Sequence, residues 1–101
     1  MTTRNNRAIV GICTLTIYLP ESLSLKDKRS TVKSICRRVR NTHNASIAEI
    51  DRLNNKQHAV LAFTVVSNQY NQTEKMVQTI IAWIEAQFPQ AQLTSEEIEI
   101  L

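Results

Sequence analysis

Two stretches, Ala8–Tyr18 and His58–Ser67, are largely apolar in both phases that a β-strand alternates between. In the first, Ile9, Gly11, Cys13, Leu15 and Ile17 form a wholly apolar phase, while Val10, Ile12, Thr14, Thr16 and Tyr18 form a mixed one. In the second, Ala59, Leu61, Phe63 and Val65 alternate with Val60, Ala62, Thr64 and Val66. Such strands belong in the middle of a sheet. Leu19-Pro20-Glu21-Ser22 ends the first, because proline cannot donate to a ladder.

Each central strand leads into a helical pattern. From Ser24 to Asn41, Leu25, Val32, Ile35, Cys36 and Val39 recur on one helical face. Ser24 suits the N-cap, and Asp27 occupies the reciprocal capping-box position. Asn41–Asn44 suit a helix exit, since Asn tolerates the left-handed conformation. Asn68 suits the cap of a second helix running to about Gln87, with Met76, Val77, Ile80, Ile81, Ile84 and Phe88 buried, Trp83 packing at the edge and Pro89 as the stop. Ala45–Asp51 reads as an edge strand with Ile47 and Ile50 in opposite phases, followed by a loop over 52–56. Gln92–Leu101 reads as a fourth strand, and residues 1–7 as a polar, frayed start.

The order is therefore βαββαβ. It predicts an α+β, ferredoxin-like sandwich: a four-stranded antiparallel sheet, order 4-1-3-2, with two helices on one face. That order puts the two most apolar strands in the centre. At 101 residues, with 43% hydrophobic and 21% charged residues, the chain fits a single domain over 1–101.

The net charge of +3 is modest, but its distribution is not. Residues 26–40 hold seven bases against Asp27, a net +6, whereas residues 61–101 hold Lys75 against five glutamates, a net −4. At about 100° per residue, Lys26, Arg29, Lys33, Arg37 and Arg40 line one flank of the first helix. Lys28 instead falls within the apolar arc beside Val32 and Ile35, where it must either snorkel to solvent or meet a carboxylate.

A single glycine, Gly11, leaves no P-loop, no dinucleotide-binding turn and no GXXG clamp. His43 and His58 sit far apart in register, Cys13 and Cys36 read as buried thiols, and Glu96, Glu97 and Glu99 read as a solvated edge. The residues thus predict no enzyme, metal, cofactor or small-molecule substrate. With no run of about 20 apolar residues there is no membrane span, and the reading is cytoplasmic. The outward phase of the two central strands offers only Tyr18 to stack on a base, which argues against RNA binding on the sheet face. Val10, Ile12, Thr14, Val60, Ala62 and Val66 make that face apolar enough to predict a homo-oligomer through it.

The stretches Leu19-Pro20, Ser24-Leu25-Lys26-Asp27-Lys28-Arg29, Ser46–Asp51, Ala59-Val60-Leu61 and Val65-Val66-Ser67-Asn68 resemble the YlxP-like family, small bacterial proteins classed as a domain of unknown function. The SLKxKR segment is the most specific part, and the resemblance spans nearly the whole chain. It departs at Asn54-Asn55-Lys56, where relatives are expected to carry a tryptophan-containing segment. The resemblance implies a ferredoxin-like fold and no established activity. Family genes often neighbour those of ribosome-binding factor A, a transcription elongation factor and a translation initiation factor, which implies RNA or ribosome work. It also gives Lys28 an alternative role, beside Lys26 and Arg29, in a phosphate or carboxylate contact at the helix start. Two function classes follow: a non-enzymatic RNA- or ribosome-associated module working through Lys26, Lys28, Arg29, Lys33, Arg37 and Arg40, or a homo-oligomeric protein-interaction module whose basic flank is merely solvated or docks an acidic protein.

Overall fold

A computed structural model describes residues 7–101. The expected frayed start therefore lies, apart from Arg7, outside the described residues. The elements are β1 (Ile9–Tyr18), α1 (Leu25–Thr42), β2 (Ser46–Asp51), β3 (His58–Ser67), α2 (Tyr70–Gln87) and β4 (Gln92–Ile100). They form one antiparallel sheet of order β2-β3-β1-β4, which is the expected 4-1-3-2 in reverse. No described helix is long and apolar enough to cross a membrane.

Both central strands turn the expected phase inward: Gly11, Cys13, Leu15 and Ile17 face Ala59, Leu61, Phe63 and Val65 in register, all buried. Helix residues Val32, Ile35, Val39, Val77, Ile80, Ile81 and Ile84 close the core over them. At Gly11, α2 packs closely against β1. A Cβ there would lie 2.8 Å from Thr73 Cγ2 and 2.9 Å from Val77 Cγ2, closer than carbon atoms pack.

The departures lie at element ends. Ser24 caps α1 as expected, its hydroxyl accepting from Asp27 N at 3.0 Å, but the Asp27 carboxylate accepts from Leu23 N rather than Ser24 N. Helix α1 continues to Thr42 and ends at an extended His43, not at a left-handed Asn. Arg52 (φ 57°) is the one described non-glycine residue with positive φ. Helix α2 begins after Gln69, so Asn68 is not its cap. Ser67 Oγ accepts from Gln69 N and pairs with Thr73 Oγ1 at 2.6 Å, and that hydroxyl also donates to Gln69 O. Strand β2 starts one residue late and carries a bulge between Glu49 and Asp51. The bulge explains the mixed phases, with Ile47 buried and Ile50 54% exposed.

The loops before α1 and before β3 are tied together. Ser22 Oγ donates to Lys56 O at 2.7 Å, and Gln57 Nε2 bridges Pro20 O and Ser22 O. The start of the basic helix is held against the end of the sheet.

Candidate anion-binding groove

Helix α1 distributes its bases in three directions. Lys28 points inward and is fully buried, so it does not snorkel and is not presented to solvent. Its Nζ donates to Glu49 Oε2 at 2.6 Å, Arg52 O at 3.0 Å and Leu53 O at 3.3 Å, one acceptor for each ammonium proton. The left-handed turn at Arg52 brings two successive carbonyls to that ammonium. The place of Lys28 in an anion-contacting set is thus corrected: all three of its donors are engaged inside the protein.

Arg38 turns toward α2, where its guanidinium lies 4.7 Å from the Phe88 ring and 5.6 Å from Trp83 and donates to Gln87 Oε1 at 2.7 Å. Its role was not legible from spacing, which shows only that it lies off the basic flank.

The remaining five, Lys26, Arg29, Lys33, Arg37 and Arg40, are exposed. Lys26 to Arg40 spans about 21 Å of helix at about 1.5 Å per residue, with successive members three or four positions apart. Arg29 makes a long contact of 3.4 Å to Asn54 Oδ1, and Arg40 donates to Ile47 O at 2.9 Å. Among the described residues, Lys28–Glu49 is the only ion pair, so no carboxylate neutralises the five. Between α1 and β2 runs an open groove of about 480 Å³. Arg29, Lys33, Arg37 and Arg40 supply its positive charge, Val32, Cys36 and Ala48 its apolar lining, and Glu49, paired with the buried Lys28, its one carboxylate.

The groove does not make Cys36 a nucleophile. Burial pushes its thiol pKa up, and Glu49 adds to that, against an opposing pull from Arg40. Cys13 is likewise pushed up to about 11 by burial and by Glu96. Both sulfurs stay protonated near neutral pH. Among the described residues no three His, Cys, Asp or Glu side chains gather as a metal site.

The two histidines pack separately. His58 stacks on Tyr18, with centroids 4.9 Å apart. His43 meets Trp83 edge to face at 5.0 Å, and its Nε2 is buried without a partner among the described residues. Burial lowers the His43 pKa below 6.5, so the unfolded chain takes up its proton first as pH falls. The contribution of this site to stability is therefore full above about pH 6.5 and declines below it. Urea unfolding of His43→Gln beside the parent across this range is expected to show the parent losing stability more steeply below pH 6.5.

The residues expected to carry an oligomer lie on the face away from the helices. Val10 is opposite Val66, Ile12 opposite Thr64, Thr14 opposite Ala62 and Thr16 opposite Val60. All are half-buried except Val66, which is 57% exposed.

The chain resembles known proteins in both sequence and fold. Residues 10–98 match DUF503, a protein family of unknown function. The uncharacterized protein YlxP of Bacillus subtilis (strain 168) is 37% identical over 91 residues, covering 90% of this chain and 98% of that protein. A de novo designed protein, Foldit4, shares the fold with a TM-score of 0.51 at 16% identity, covering 94% of this chain and 97% of its own.

Proposed function

The chain belongs to the YlxP-like DUF503 family, whose function is unknown, and from that premise we propose that it is a non-enzymatic cytoplasmic RNA-binding module that contacts the phosphate backbone through the outer flank of α1. The observation that carries this reading is the row of five exposed bases, Lys26, Arg29, Lys33, Arg37 and Arg40, with no carboxylate paired to any of them. A merely solvated helix face usually intersperses the two signs, and i,i+4 acid–base pairs then neutralise one another. Here the acids collect on the opposite edge of the sheet, at Glu96, Glu97 and Glu99 in β4. The family's gene neighbourhood, beside ribosome and translation factors, supports the same reading by association.

The contacts position a strand without reading its bases, since no aromatic side chain lines the groove to stack on them. Binding of a single-stranded RNA should therefore be tolerant of sequence and steep in salt. Five neutralised phosphates imply a log–log slope of about −3.5, or a loss of about 10²-fold for a fourfold rise in salt. Lys33→Gln/Arg37→Gln removes two exposed bases that have no hydrogen-bond partner among the described residues, and should flatten the slope by about 1.4 for every sequence alike. Filter binding across a salt series reads both. A weak, flat wild-type curve refutes the proposal.

A further inference from the structure

We propose that the sheet face not covered by the helices is an interface with a second copy of this chain, packed face to face. Ten outward positions on the two central strands, from Val10 to Tyr18 and from His58 to Val66, hold no acid, no amide and no Lys or Arg, in a chain that is 21% charged. An antiparallel sheet with one face in water normally alternates apolar inside with polar outside. Here Val10, Ile12, Val60, Ala62 and Val66 make half of the outward positions apolar, and Thr14, Thr16, Thr64, Tyr18 and His58 add no full charge while the histidine is neutral. The apolar surface also reaches past the strand ends. Leu101 exchanges backbone hydrogen bonds with Val10 (2.8 and 3.2 Å), setting 62%-exposed Leu101 in one row with Val10 and Val66.

Polar residues ring this surface without entering it: Glu99 opposite Ile12, Glu97 opposite Thr14 and Gln92 opposite Tyr18 on one side, and Ser46 opposite Thr64 on the other. An apolar centre with a polar rim is the anatomy of a protein–protein interface. Three strands about 30 Å long and the shorter β2, about 20 Å long, spaced about 4.8 Å apart, give a footprint of roughly 550 Å² per copy. Two such faces bury about 1,100 Å², at the low end of specific interfaces.

Charge also fixes the orientation. A two-fold axis perpendicular to the strands would lay β4 across β4 and crowd four glutamates, Glu97 and Glu99 from each copy. An axis parallel to the strands lays β4 over the partner copy's β2, where the small exposed Ser46 and Ala48 leave those carboxylates at the solvated rim. The second arrangement is also compatible with the aligned packing of two twisted sheets about 10 Å apart. It leaves both α1 flanks facing outward, so the inference does not depend on RNA binding.

Sedimentation equilibrium and light scattering on the full chain test it. The parent should be a dimer at micromolar concentration. Ala62→Lys, in the centre of the face, should raise the dimer dissociation constant more than about tenfold. Val66→Lys, at an already exposed position where folding is not at stake, should raise it less. Gln78→Lys, on the exposed side of α2, should leave it unchanged. A parent that stays monomeric at millimolar concentration overturns the proposal and leaves the face to water or to another protein. So does a dimer that both open-face lysines leave intact.

Discussion

Lys28→Ala is expected to lower the unfolding free energy by about 3–5 kcal/mol. The cost arises less from the attraction lost than from what remains. Glu49, with a side chain 16% exposed, would lose its ion-pair partner, and the carbonyls of Arg52 and Leu53 would lose a buried donor. A domain of this size has about 5–15 kcal/mol in all, so the loss should be plain in urea unfolding. Lys28→Met tests the cause, because it keeps the packed stem and removes only the ammonium; it should still lose most of that amount. Lys28→Met with Glu49→Leu should recover much of it, since a buried ion pair replaced by apolar groups is often neutral. A single Lys28→Ala variant within about 1 kcal/mol of the parent would show that the lysine is not structurally required.

The second large effect is at Phe63. It is fully buried, opposite Cys13 on one side and Ile47 on the other. Phe63→Ala removes a ring that the surrounding strands and helices cannot collapse upon, at an expected cost of about 3–5 kcal/mol. Val66→Ala, three residues along and in the outward phase, should change stability by no more than about 0.5 kcal/mol. Equal, small effects for the two would mean that β3 turns the other phase inward.

What could be read from the residues, and what could not, divides by the range of the interaction. The fold was legible because two strands apolar in both phases and two helices with a clear buried face leave little topological freedom. The core at Cys13, Leu15, Val32, Ile35, Phe63, Val77 and Ile84 follows from period alone. Ile9, expected in that core, is only half-buried, because it lies at the open end of β1. Periodicity also placed Lys28 among apolar neighbours and so required a snorkel or a carboxylate. It could not say that the partner would be Glu49, 21 residues on in a separate strand. Nor could it find the acceptors of Arg40 and Arg38, which belong to β2 and α2. The end of α1 and the start of α2 differ from expectation for a related reason. Asn68 is a good cap by composition, yet the Ser67 and Thr73 hydroxyls, six residues apart, serve that end instead.

The hydrogen bond from Arg40 to Ile47 O has one more consequence, for polymerisation. A sheet elongates without limit only if both of its outer strands accept newcomers, as in a fibre that grows at two ends. Here Arg40 sits on an outward carbonyl of β2, and the bulge before Asp51 bends that strand away from a straight template. The other outer strand, β4, carries three glutamates that repel a like strand laid alongside. Each copy therefore acts as a chain terminator for the next, and any association through the broad face of the sheet stops at a closed pair.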